Sequence, residues 1–180
     1  MKTPTYSAST NRKANLPLAF LYLLLLFILV CAIWLFSSQT GSDSQALSDR
    51  LIRLLHLESL PEIRFLIRKA AHFSVYLVMG ILWYLFFDSL GFVAGKAVLG
   101  AVLFSLLFAG IDEIHQSFVT DRACQFRDVI LDEIGAINGT CLTYLLLFQL
   151  RTFRQRPHSH LTSKKPLDDY KSESSLQVGL

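Results

Sequence analysis

The chain has little of what a metal centre or a redox site is built from. Its three cysteines, Cys31, Cys124 and Cys141, include no Cys-x-x-Cys pair, which excludes a cysteine zinc site or a dithiol motif. Cys31 lies near one end of the first apolar block, and Cys141 lies about 13 residues, ~20 Å of helix, inside the last. Those depths put a bond between them out of reach, and Cys124 stands alone in a polar turn, so three free thiols are expected. Charge of one sign is also scarce. A net +3, with no single basic stripe, argues against nucleic acid as a partner. No small-x-small cleavage site follows the first apolar block, which is longer than the core of a secretory signal.

What the chain has is hydrocarbon. Of its residues 52% are hydrophobic, 14 of them Phe, and they gather in blocks rather than at the spacing of a soluble helix or strand. Stretches of roughly 18–20 residues without an internal charge read as membrane spans. Pro17 to Phe36 is the first, an uncleaved transmembrane helix. A second runs from about Arg68 to Phe87, and a third from about Ala97 to Ile111, continuing into Asp112–Gln116. The fourth runs from near Asp128 to near Leu150, stopped by Arg151, Arg154 and Arg156.

Between the first two spans, Leu47, Leu51, Leu54 and Leu55 recur at helical spacing opposite Asp49, Arg50 and Arg53. Segment 44–57 is therefore expected as a surface helix ended by Pro61, followed by a short amphipathic turn at Ile63–Ile67. The fold class is all-α: a membrane bundle of four transmembrane helices plus an outer-surface amphipathic helix. Residues 1–15 form an amino-terminal tail, 16–150 the membrane domain, and 151–180 a tail rich in Ser, Lys, Pro and Asp that is expected to be disordered. Flanking Lys and Arg, clustered at Arg151–Arg156, orient both tails to the cytoplasmic side of the membrane.

Span counting then brings unusual residues to one depth, on the outer side. Lys69 and His72 enter with the second span and share a face with Tyr76. Asp112, Glu113, His115 and Gln116 leave with the third, and Arg127, Asp128, Asp132 and Glu133 enter with the fourth. Asp112, His115 and Gln116 share a face, whereas Glu113 is rotated about 100° from Asp112. Gly135-x-x-x-Gly139 below Asp128 and Asp132 permits close helix contact. Charge at the edge of a bilayer is paired, hydrated or functional. One reading is structural: Lys69, His115, Arg122 and Arg127 neutralise Asp112, Asp128 and Asp132 and pin loop 117–126. The other is a working site, in which Arg122 suits an anionic headgroup because guanidinium meets phosphate in a bidentate fashion. Asp112-x-x-His115 copies half of a carboxylate-bridged iron motif, but the second copy is missing, so no metal and no cofactor is assigned. Ser37, Ser38 and Ser44 read as caps and turn residues rather than nucleophiles.

These residues resemble the VanZ family of bacterial membrane proteins, some members of which are associated with teicoplanin-type glycopeptide resistance. The likeness is carried by Phe36-Ser-Ser-Gln39, Arg68-Lys-Ala-Ala-His72-Phe-x-x-Tyr76-x-x-x-Gly80 and Asp112-Glu-Ile-His-Gln116-x-Phe-Val-x-x-Arg122. It continues in Arg127-Asp-Val129 and Gly135-Ala-x-x-Gly139, so that it covers roughly residues 20–150. Val75 stands where the family often has Glu, and Glu133 where a small polar residue is common. Thr120–Asp121 replaces a usual Pro-Gly, which implies a differently shaped loop. The resemblance implies a multi-pass protein of the cell envelope and no settled reaction.

The expected function is to act on or recognise an envelope component at the outer leaflet. Membrane lipids and a lipid-linked or surface polymer are its expected partners; oligomeric state is left open. If the site is an enzyme's, His72 or His115 is the base, oriented by Asp112 or Asp128, with Glu113 nearby and Arg122 or Arg127 holding an anionic group. Lys69, Gln116 and Asp132 complete the ligand-binding set. If it is not, the same cluster is a clamp or a lipid- or partner-binding surface. A transporter is disfavoured, since the span interiors carry neither charge nor a broken helix.

Overall fold

A computed structural model describes residues 13–54, 56, 62–122 and 125–154. Residues 1–147 form one compact unit, and the described part of the second, 148–180, is the helical stretch Phe148–Arg154. Five helices make up the described residues: α1 (Leu16–Ser37), α2 (Gly41–Leu54), α3 (Ile63–Ser89), α4 (Ala94–Gln116) and α5 (Phe126–Arg154). All but α2 are long and apolar enough to cross a membrane.

Local chemistry sets the ends. The Asn15 side chain accepts from the Leu18 amide at 3.2 Å and Pro17 occupies the first turn, so α1 starts at Leu16. The helix is apolar all round, with Phe20, Leu23 and Leu25 exposed on different sides, as lipid contact requires. The surface helix begins at Gly41, three residues before the expected 44. There the Thr40 hydroxyl accepts from the Asp43 amide at 3.2 Å and donates to its carboxylate at 2.7 Å, a reciprocal cap. It ends at Leu54; residues 55 and 57–61, including Pro61, lie outside the described residues. The separate turn expected at Ile63–Ile67 is instead the start of α3, because nothing between Ile63 and the span breaks a helix. At 27 residues, about 40 Å, α3 exceeds a hydrocarbon core of about 30 Å. A helix of that length leaves room for its charged first turns, with Arg64, Arg68 and Lys69, outside the core. At the other end α5 continues through Arg154, beyond the expected boundary at 150, and the rest of the expected disordered tail lies outside the described residues.

The spans alternate in direction. The Asn15 amide donates to the Ser89 carbonyl at 2.7 Å, setting the start of α1 beside the end of α3. Ser37 meets Asp112 where α1 and α4 both end, and Lys69 meets Asp128 where α3 and α5 both begin. Small residues allow the closest crossings. A Cβ on Gly135 would stand 2.5 Å from the Phe73 carbonyl oxygen, and one on Gly80 would overlap the Ala136 carbonyl, so the backbones of α3 and α5 touch as the Gly-x-x-x-Gly spacing predicts. On α4, Ala97, Ala101, Ser105 and Ala109 form a fully buried stripe. The core between the helices is Leu26, Tyr76, Met79, Trp83 and Tyr84, with Phe86, Phe87, Phe104 and Phe108 around the Trp83 ring. Cys31 and Cys141 are free thiols, and Cys124 is outside the described residues.

Candidate functional site

The buried stripe of α4 continues one turn past Ala109 into Asp112, Glu113 and Gln116, so the face that packs small residues delivers polar ones at the helix end. These are almost fully buried and would be costly without partners. Asp112 has two: the Ser37 hydroxyl donates to one oxygen at 2.5 Å, and the Gln116 amide nitrogen to the other at 2.8 Å. Gln116 in turn accepts from Arg122 at 3.0 Å, and the same guanidinium reaches the Phe36 carbonyl at 3.5 Å. A chain of polar contacts thus links the end of α1, the end of α4 and the following loop. Gly41 joins the loop to α2: its amide donates to the Thr120 carbonyl at 3.3 Å, and a Cβ there would stand 2.5 Å from the Asp121 carbonyl oxygen. Asp121 itself has φ 61°, the left-handed backbone that a glycine in its place would take.

A second set of contacts ties α3 to α5. Lys69 pairs with Asp128, and one turn deeper His72 Nδ1 lies 3.3 Å from Asp132 Oδ1. Asp132 is 1% exposed. The expected orienting carboxylate for the histidine was Asp112 or Asp128, but both are committed elsewhere, and Asp132 takes that place. His115 is not in this group. Its ring stacks on Trp34, centroids 3.9 Å apart, with Nε2 3.0 Å from the Ser38 hydroxyl, which draws it to the flank of α1 rather than to Asp112. Glu113 accepts from the Gln125 amide and so holds the approach to α5. Arg127 is exposed and has no partner among the described residues. Both carboxylate oxygens of Glu133 are buried without a hydrogen-bond partner among those residues.

A cavity of about 350 Å³ opens between α1, α2 and α3. His72, Asp112 and Arg122 of the expected site line it; Lys69, Glu113, His115, Gln116, Arg127, Asp128 and Asp132 do not. Sequence reasoning left out Ser37, Arg68 and Tyr76, which are also in its wall. Arg68, His72 and Tyr76 repeat every four residues, so a helical face drawn one turn further back would have included the arginine. Ser37 stood in the Phe36-Ser-Ser-Gln39 motif of the resemblance, but its position at the end of an apolar run read as a cap. Burial, then the nearby Arg68 guanidinium, pushes the Arg122 guanidinium below its ordinary value, against the pull of Asp112 and Glu113. Among the described residues, no group of three or more His, Cys, Asp or Glu side chains is placed to hold a metal ion.

Four spans in alternating directions, with a polar network and a cavity at one end, define a multi-pass membrane protein of the helical-bundle class. The family model described as VanZ/LLP1 matches residues 20–148, nearly the whole bundle, and the chain belongs to that family. No curated protein and no solved structure shows significant similarity to it.

Proposed function

We propose that this protein recognises a component of the cell envelope at the outer face of the cytoplasmic membrane, through the cavity between α1, α2 and α3. The observation that carries the reading is the wall of that cavity, where two arginines, a histidine and a carboxylate, with Ser37, Gln39, Ser44 and Ser48, border a slot lined mainly by apolar side chains. A bundle that needed only anchoring would have no use for a cavity of this size beside its charges. His72 beside a buried carboxylate has the arrangement of an oriented base, but among the described residues no hydroxyl or thiol bonds to it, so binding is better supported than catalysis.

The test is teicoplanin susceptibility in a host expressing wild type, His72→Ala, Asp112→Asn and Arg122→Gln, with membrane levels quantified for each. The expected result is that the three variants insert at wild-type levels and lose the effect together. An effect that falls only in proportion to protein level would reduce the cluster to a structural clamp. A wild type without effect would remove glycopeptide resistance from the proposal. The clamp is the second reading, and a specific observation favours it for part of the cluster. Lys69–Asp128 and His72–Asp132 each join α3 to α5, and the first of these pairs lies outside the cavity wall.

A further inference from the structure

The cavity has a direction. On α1 its wall runs from Ser37 at the helix end to Leu29, and on the antiparallel α3 from Arg68 to Tyr76. Each stretch is nine residues, a rise of roughly 12 Å. On α1 the polar group is at the end of the span with aliphatic side chains deeper, and on α3 the charge of Arg68 is at the end, with His72 one turn and the Tyr76 ring two turns deeper. Leu47 and Leu51 of α2 complete the apolar side. This polarity gradient parallels that of a lipid in one leaflet, with the head at the surface and the chain toward the midplane.

The charges at its mouth do not balance. Arg68 and Arg122 face a single carboxylate in the wall, Asp112, and both oxygens of that carboxylate are occupied by Ser37 and Gln116. The hydrogen bonds of Arg122 go to two neutral oxygens, and its Nε is buried with no acceptor. Arg68 has neither an ion pair nor a hydrogen bond among the described residues. The Tyr76 hydroxyl, deeper in the wall, is likewise buried without a partner. A wall rich in donors and short of acceptors suits an oxyanion, and paired guanidinium groups suit phosphate above other anions.

We propose that the cavity binds one anionic membrane lipid through its phosphate, the phosphate oxygens at Arg68 and Arg122 and the proximal hydrocarbon chain along α1, α2 and α3. This rests on the reading of the cavity as a recognition site and names its ligand class. At 350 Å³ the cavity is at the low end of the range of about 300–1,000 Å³ for small-molecule pockets, enough for a headgroup and the first part of a chain.

The test uses the full chain in phosphatidylcholine nanodiscs and reads bound dioleoyl phosphatidic acid by native mass spectrometry. Dioleoylglycerol is the chain without the phosphate, and glycerol phosphate the head without the chain. Phosphatidic acid is expected to bind at least about tenfold more tightly than phosphatidylcholine or dioleoylglycerol, and glycerol phosphate not to displace it. Arg122→Gln and Arg68→Gln should each weaken binding about tenfold, because each removes a charge-assisted partner. Ala71→Phe fills the apolar wall with both arginines in place and should weaken it comparably. Lys96→Gln, at the opposite end of α4, should not. Equal binding of phosphatidylcholine, displacement by glycerol phosphate, or wild-type binding by Arg68→Gln and Ala71→Phe would overturn the proposal. If phosphatidic acid fails to bind while Arg122→Gln still loses the susceptibility effect at wild-type level, the ligand class falls and the recognition reading stands. If that effect only follows protein level and phosphatidic acid does not bind, both readings fall.

Discussion

Replacing glycine by alanine at two positions, Gly80 and Gly110, separates close helix packing from helix propensity. Both residues lie inside membrane-spanning helices, and in each helix alanine is favoured over glycine by about 1 kcal/mol. Around Gly110 an added Cβ meets nothing within 4 Å. At Gly80 it would overlap the Ala136 carbonyl oxygen and stand 2.8 Å from the carbonyl carbon. That neighbour is backbone and cannot rotate aside, so α3 and α5 must move apart. Overpacking of this kind costs about 1–3 kcal/mol, and a backbone obstacle belongs at the upper end. After the propensity gain, Gly80→Ala is expected to lose roughly 2 kcal/mol and Gly110→Ala to gain up to about 1 kcal/mol. Thermal unfolding in detergent, followed by circular dichroism, should put Gly80→Ala roughly 4–8 °C below wild type and Gly110→Ala about 2–4 °C above it. Because α3 and α5 also carry His72 and Asp132, Gly80→Ala should weaken that contact too. Equal melting temperatures for the two variants would refute the account of the α3–α5 crossing.

Two further outcomes follow from contacts at the same end. Lys69→Met leaves Asp128 part-buried without its cation and should cost about 1–3 kcal/mol, whereas Lys69→Met with Asp128→Leu should recover most of that loss. A double-mutant cycle by thermal unfolding measures the coupling, and a double variant less stable than the single would sink the pairing. Asp121→Gly relieves a left-handed backbone and should stabilise the protein by up to about 1 kcal/mol; a clear loss in the same assay would mean the Asp121 side chain supplies more than its backbone strain costs.

The spans were legible because a bilayer imposes a rule that sequence carries directly: length without charge. The α3–α5 crossing was legible for a related reason, since Gly135 and Gly139 one turn apart leave backbone bare on one face. Helix ends were read less well. The start of α2 depends on the Thr40 hydroxyl and Asp43, a local cap that apolar periodicity does not register. The start of α3 was delayed by treating a change in polarity as a break in the helix. Within the site, depth could be counted but rotation could not. Asp128 and Asp132 share a face of α5 and differ by one turn of depth, which matches them to Lys69 and His72, whereas the rotation of α4 decides that Asp112 meets Ser37 instead. The loop shows the limit from the other side. Thr120–Asp121 in place of Pro-Gly suggested a different shape, yet Asp121 adopts the backbone a glycine would, because aspartate tolerates it better than most residues.

The pairing of α3 with α5 also bears on how the protein is made. The first helix carries no charge and can enter a bilayer unaided, but α5 brings Asp128, Asp132 and Glu133 in its first turns. A lone aspartate at mid-membrane opposes insertion by about 2.5–3.5 kcal/mol, and three acids near the edge are a smaller but cumulative obstacle. Lys69 and His72, which meet Asp128 and Asp132 in the fold, precede them in the chain, as does Gly80, whose backbone α5 packs against. The order of the genetic message therefore supplies Lys69 before Asp128, so that the cation of this pair precedes its carboxylate.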